Sequence, residues 1–382
     1  MPNSLIYADH AATTPVRPEV LEAMLPYFSA QYGNPSSLYR LGRQAKAALE
    51  EARAKIAHCL HGAPEEIFFT SGGSEGDNWA VKGLALAGKE RGKSHLVTTV
   101  FEHPALLESC RFLEGQGCRI SYLPVSSIGF LTAKQVEEVV TPDTCLVSVM
   151  YANNEIGTVQ PVREISALCR AKGIPFHTDA VQAAGWLPID VQAQNIDLLT
   201  LSAHKLGGPK GIGVLYCRKG LSLYPLVHGG KQENSRRAGT ENVAGAVGLA
   251  KALELAGQEQ IKRSQSTAEK RDWMEGELST LTGCLVNGAN PRLPGHLNLS
   301  FPGVEGESLL LVLDAQGIAA SSGSACSSGS GSPSHVLLAL GRNEKEAKGS
   351  LRLSIDETLS WEDCRRLVQA VKSAVEMLRF DA

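Results

Sequence analysis

The chain has no CxxC or CxxH pair, so it offers no zinc site of finger or ribbon spacing, and no metal is expected. Its nine cysteines, at positions 59, 110, 118, 145, 169, 217, 284, 326 and 364, are odd in number and scattered. That excludes a disulfide framework and fits a reducing cytoplasm. No run approaches the roughly 18 apolar residues of a membrane span. The N-terminus, MPNSLIYADHAATTPV, lacks a basic stretch followed by an apolar one, so no export signal is expected. No block of like charge marks a tail, and a net charge of −3 argues against a nucleic-acid or anionic-membrane surface. Internal repeats are absent. The one low-complexity stretch is SSGSACSSGSGS, residues 321–332, which surrounds Cys326.

What is present is an ordinary globular composition, 43% hydrophobic and 20% charged over 382 residues. That length exceeds what one compact core usually spans, so two domains are expected. The first half alternates short apolar runs with helical patterns. Strands are predicted at Ile67–Thr70, His95–Val100, Arg119–Leu123, Cys145–Met150, Ile174–Thr178, Asp197–Leu201 and Ile212–Cys217. Helical stretches such as Pro104–Glu114 and Val162–Lys172 lie between them, and Ala45, Leu49, Ala52 and Ile56 repeat at helical spacing within Ser37–Leu60. This alternation predicts a mostly parallel sheet with helices on both faces and ligands at the carboxyl ends of the strands. After about residue 240 the pattern changes. Glu241–Leu281 reads as helices and a crossover. Shorter strands follow at Leu297–Phe301, Ile318–Ser321 and Ser350–Ile355, then a final helix near Ser360–Leu378. These form a second, smaller α/β domain. The division expected is 15–255 against 1–14 with 256–382.

Polar residues cluster after the predicted strands. SGGSEGDN (71–78) follows the first; its glycines let backbone N–H groups face an anion at a helix start. A tight turn reads as well from that stretch alone. GLALAGK (83–89) nearly matches a nucleotide-binding loop, but Glu90 holds the Ser/Thr position and the segment is helical rather than strand-following. His103 follows the second strand, and Asn153, Asn154 and Glu155 follow the fourth. Asp179 and Gln182 follow the fifth, and His204 and Lys205 the sixth. One such residue is usually a cap or a solvated charge. A phosphate cradle, a strand-end acid and a strand-end lysine together point to pyridoxal phosphate (PLP), which needs an imine-forming Lys and an acid at its pyridine nitrogen.

These residues sit in a series of motifs: DHAATTP (9–15), YGNPSS (32–37), TSGGSEGDN (70–78), EHPA (102–105), NNEIGT (153–158), HTDAVQ (177–182), SAHK (202–205), RRAGTEN (236–242), SSGSAC (321–326) and LRLS (351–354). Any one is weak, but ten in register over nearly the whole chain are specific. The chain resembles the cysteine desulfurases of the NifS/IscS kind, class-V members of the fold-type-I PLP enzymes. The resemblance implies an α/β fold with a mostly parallel seven-stranded sheet flanked by helices, plus a smaller α/β domain. It implies that Lys205 forms the imine with PLP, that Asp179 pairs with the pyridinium nitrogen and that Gln182 contacts the ring oxygen. His103 stacks on the ring and moves protons. Gly73, Ser74, Ser202 and His204 hold the phosphate, joined by Thr240 from the other subunit of a homodimer. Asn34, Asn154 and Arg352 hold the substrate carboxylate, with Asn154 also beside the cofactor. An arginine suits that task because its planar fork matches a carboxylate.

SSGSAC marks the subgroup whose active-site cysteine rides a long mobile loop. Cys326 is then the residue that takes sulfur from L-cysteine as a persulfide and presents it to an acceptor or an iron–sulfur scaffold protein. Ser and Gly ease such movement of the backbone. The pattern departs from its relatives in places. Ser74 replaces a frequent Thr, SSGSGSPSH follows Cys326, Asp356 falls where a basic residue is expected, and the chain ends at LRFDA where relatives continue into a docking tail. Three rivals are an aminotransferase of the same class, a selenocysteine lyase and a non-catalytic relative. The first needs no Cys326, and the last would have lost Lys205, Asp179 or Cys326.

Overall fold

Seven of the apolar runs pair into one sheet. In the computed structural model, which describes residues 5–323 and 332–380, twelve strands form three sheets. The strands are β1 (Ile6–Tyr7), β2 (Ile67–Thr70), β3 (His95–Thr99), β4 (Arg119–Leu123), β5 (Thr144–Ser148) and β6 (Phe176–Asp179), then β7 (Leu198–Ser202), β8 (Gly213–Cys217), β9 (Leu285–Asn287), β10 (His296–Ser300), β11 (Ile318–Ala319) and β12 (Ser350–Ser354). The large sheet has the order β2-β8-β7-β6-β5-β3-β4. Only β8 runs against its neighbours, β2 and β7; the other ladders are parallel. Helices Arg40–Leu60, Gly73–Lys89, Pro104–Gly115 and Val162–Ala171 alternate with these strands. Strands β2, β3, β5 and β7 are buried along their full length, as expected when both faces of a sheet are covered. The near-match to a nucleotide-binding loop at 83–89 lies inside the Gly73–Lys89 helix.

Two apolar clusters adjoin that sheet on residues from Val20 to Leu253, with Leu293 added. A third gathers Ile6, Ala8, Met274 and Leu278 with β10, β12 and the Trp361–Phe380 helix. There β12-β10-β9 is antiparallel, and β1 pairs with β11. The stretch expected to hold helices and a crossover is one 36-residue helix, Val243–Leu278. No proline interrupts it, and side chains at Gly257 and Gly276 would meet nothing within 4 Å. Its first half packs in the large cluster through Ala246, Leu249 and Leu253, and its last turns pack in the other through Met274 and Leu278. Among the described residues no helix is long and apolar enough to cross a membrane.

Candidate active site

The carboxyl ends of β2, β3, β5, β6 and β7 face one cavity of about 210 Å³. Its wall includes Gly73, Ser74, His103, Asn154, Asp179, Gln182, Ser202, His204, Lys205 and Arg352. Ten residues singled out from the sequence thus meet in one place, although they span 280 positions between Gly73 and Arg352 and share no local periodicity. Ala11, Ala12, Asp77, Met150, Ala152 and Val181 complete it.

Each side chain is set by its element. Gly72 turns β2 into a helix at φ +155°, ψ −174°, a backbone region open essentially to glycine. The first turn of that helix offers N–H groups without intrahelical partners and the positive end of the dipole. His103 caps the Pro104–Gly115 helix: its Nδ1 accepts from the Ala105 N–H at 3.1 Å. Neutral His103 therefore carries its proton on Nε2, and burial lowers its pKa. Asp179 ends β6, and its Oδ1 accepts from the Val181 N–H at 2.9 Å. Burial raises Asp179, against the pull of His103, the Val181 N–H and Lys205.

Lys205 follows β7 in a short 3₁₀ turn, Ala203–Lys205. Its amine donates to the carbonyls of Ala11 and Ala12, and Gln182 Nε2 donates to the same Ala11 carbonyl at 3.0 Å. The DHAATTP segment thus lies against the Lys205 turn. Thr14 Oγ1 donates to the His204 carbonyl at 2.8 Å, and His204 Nδ1 lies 3.1 Å from Thr13 Oγ1. Burial and the neighbouring Lys205 and Lys210 pull His204 down to about 4, so the imidazole is neutral.

Two predicted residues lie elsewhere. Asn34 is exposed and its Oδ1 accepts from the Ser36 N–H. Thr240 is exposed as well, and neither lines the cavity. Cys326 lies outside the described residues. Several carboxylates near the cavity carry no role in the sequence reading, although Glu155 is among the strand-end residues it names. Glu102, beside His103, is fully buried and accepts from Thr99 Oγ1 at 2.7 Å and the Met150 N–H at 3.0 Å. Burial pushes it up to about 8. Glu155 is buried too and accepts from Ser334 Oγ at 2.5 Å, while Asp9 pairs with Arg352. Glu102, Glu155 and Asp77 all stand inside quoted motifs, so their position was visible and only their burial was not.

A helix start, a lysine amine, a buried carboxylate and an arginine thus face one cavity at the strand ends of an α/β fold. The class-V aminotransferase model matches residues 6–367, so the chain belongs to that family. Within it the relatives are cysteine desulfurases. The cysteine desulfurase IscS of Methanosarcina thermophila is 50% identical over 378 residues, covering 99% of this chain and 93% of that one. A solved NifS-like protein superposes with a TM-score of 0.91 at 37% identity, over 98% of this chain and 100% of that one. A solved structure described as SspA in complex with cysteine reaches 0.82 at 39% identity, over 92% and 98%.

Proposed function

We propose that this chain is a PLP-dependent cysteine desulfurase that converts L-cysteine to L-alanine and receives the sulfur on Cys326 as a persulfide. The observation that carries the reading is the convergence of Lys205, Asp179, His103 and Arg352 on one cavity at the strand ends. The donor set fits PLP. Ser74, Ser202, His204 and the start of the Gly73–Lys89 helix suit a phosphate. Close packing leaves no room for side chains there: a Cβ on Gly73 would sit 2.9 Å from Val181 Cγ2. Asp179 suits a pyridinium nitrogen, Gln182 a ring oxygen, and Lys205 the aldehyde. When bound, the group supplies a carbonyl for the substrate amine and an electron sink for its Cα.

The chain's own residues supply the rest. Arg352 and Asn154 hold the substrate carboxylate. Lys205 takes the Cα proton. His103, neutral with its proton on Nε2, can give or receive a proton in the cavity. The Cys326 thiolate attacks the substrate sulfur and forms the S–S bond. The Cβ–S bond breaks with its electron pair left on carbon, which a proton converts to the methyl of alanine. An acceptor thiol or an iron–sulfur scaffold protein then takes the persulfide sulfur.

The reading includes a homodimer in which Thr240 serves the partner's site. Exposed apolar residues at Phe28, Tyr32, Leu38 and Tyr39 support it. It also includes a large PLP-binding domain at 15–255, a small one at 1–14 and 256–382, and a cytoplasmic setting. The eight described cysteines, all free, support that setting. The test is paired. Wild type and Cys326→Ala receive L-cysteine with a mild reductant, and sulfide and alanine are quantified. Equal amounts from wild type and neither from the variant, with PLP still bound, are expected. Full activity in Cys326→Ala would overturn the reading.

A further inference from the structure

Behind Asp179 lies a carboxyl group that the chemistry above does not use. Asp77 is 1% exposed, on the second turn of the Gly73–Lys89 helix. Among the described residues its Oδ1 has no hydrogen-bond partner, and His177 Nε2 is 3.7 Å away. That histidine brings no charge, because full burial pulls it down to about 3. An ionised Asp77 would therefore be a buried anion beside a second one, Asp179, which the loss of hydration opposes.

The backbone forces this contact. Gly76 has no side chain, and a Cβ there would lie 2.6 Å from Thr200 Cγ2. The helix thus sits directly on β7, and Thr200 is the register partner of Asp179 on β6. Asp77 thus neighbours both Thr200 and Asp179. The network extends across the sheet: His177 Nε2 is 3.0 Å from Thr200 Oγ1, and His177 Nδ1 is 2.8 Å from Ser148 Oγ. All five side chains are buried. One set of proton positions is consistent across the cluster: Ser148 donates to Nδ1, Nε2–H donates to Thr200, and a protonated Asp77 has a donor to offer Asp179.

We propose that Asp77 is a positioning residue that holds a proton and donates it as a hydrogen bond to the Asp179 carboxylate, the last link of a buried relay Ser148–His177–Thr200–Asp77–Asp179. Burial and the charge of Asp179 push Asp77 well above the usual carboxylate range. The relay fixes the Asp179 carboxylate in place and stabilises its charge toward the cavity. The consequence for the cofactor rests on the reading of Asp179 given above; the proton on Asp77 does not.

The experiment compares wild type, Asp77→Asn and Asp77→Ala. An amide keeps an acceptor for Thr200 and a donor for Asp179, whereas alanine removes both. Infrared spectra of the cofactor-free protein are expected to contain a protonated-carboxyl C=O band that Asp77→Asn removes. Titration with PLP is expected to give wild-type affinity for Asp77→Asn within about threefold, and about ten- to hundredfold weaker binding for Asp77→Ala. Melting curves identify a variant that fails to fold, and the infrared band decides the matter without Asp77→Ala. No lost band, Asp77→Asn as weak as Asp77→Ala, or Asp77→Ala equal to wild type would each overturn the proposal. If wild type takes up no PLP, the cofactor reading fails, and the band alone still decides whether Asp77 holds the proton.

Discussion

The buried Arg352 and the half-buried Asp9 form an ion pair across 343 residues of chain: Nη2 lies 2.7 Å from Asp9 Oδ1. On the other side Nη1 donates to the Asn154 carbonyl at 3.2 Å, while Nε is buried with no partner among the described residues. The guanidinium is thus oriented before substrate arrives and keeps an unused donor. Arg352→Lys would keep the charge and lose the planar fork. The expected result is a KM for L-cysteine about ten- to hundredfold higher, with kcat less affected and PLP content unchanged. An unchanged KM would make Arg352 a structural residue.

Asp356, found where a basic residue was expected, pairs with His10 of the DHAATTP motif. Asp356 Oδ2 is 3.0 Å from His10 Nε2, and His10 Nδ1 lies 3.1 Å from the Ser354 carbonyl. Burial opposes the charge on His10, but Asp356 outweighs it and raises the pKa. Asp356 in turn is held at about 2. A raised histidine contributes stability below its unfolded pKa of about 6.5 and loses it as pH rises through the folded value. The depressed Asp356 contributes above its unfolded value of about 3.9 and loses that contribution as pH falls toward about 2. Both contributions are present between about pH 4 and 6.5. Asp356→Asn should therefore lower Tm more at about pH 6 than at about pH 8.5. An equal loss at both values would show that the pair is not titrating as described.

Gly76 tests how tightly the helix must sit on β7. A methyl there would lie 2.6 Å from Thr200 Cγ2 and 3.0 Å from Thr200 Oγ1. Gly76→Ala gains helix propensity but overpacks a buried contact. A net destabilisation of about 1–3 kcal/mol is expected by denaturant melts, together with weaker PLP retention. Unchanged stability and retention would mean the helix can shift without disturbing Asp77.

The large sheet was legible because its strands are β-branched runs between turn residues, and each observed strand falls within two residues of its predicted bounds. The antiparallel direction of β8 was not, since direction follows from the length of a connection and not from strand composition. Strands β1 and β9, of two and three residues, are too short to show alternation. The Val243–Leu278 helix misled because its buried face changes partners along its length, which blurs the repeat. In the site, most of the polar residues that line the cavity stood out as groups at strand ends. Asp9, Asp77 and Glu102 did not, because their importance lies in burial beside another charge, a property of the assembled fold.

The loop before RRAGTEN is held by a salt bridge that carries strain. Glu233, Asn234 and Ser235 have φ values of 46°, 56° and 64°, a run of left-handed backbone that L-residues resist by roughly 1–2 kcal/mol each. Arg53 holds it there. Its Nη1 and Nη2 reach Glu233 Oε2 and Oε1 at 2.8 and 2.7 Å, and Glu233 also accepts from the Phe69 N–H at 3.0 Å. Both partners are 6% exposed, and the guanidinium lies 4.9 Å from the Phe69 ring centroid. Glu233→Gln would leave the buried Arg53 with only the exposed Glu50, 3.2 Å from its Nε, as a counter-charge and let the turn relax. A loss of up to about 3 kcal/mol is expected, read as a lower Tm. Replacing both partners, Arg53→Met with Glu233→Gln, removes the under-paired charge and should recover part of that loss. A double variant no more stable than Glu233→Gln alone would show that the backbone strain, rather than the buried charge, dominates.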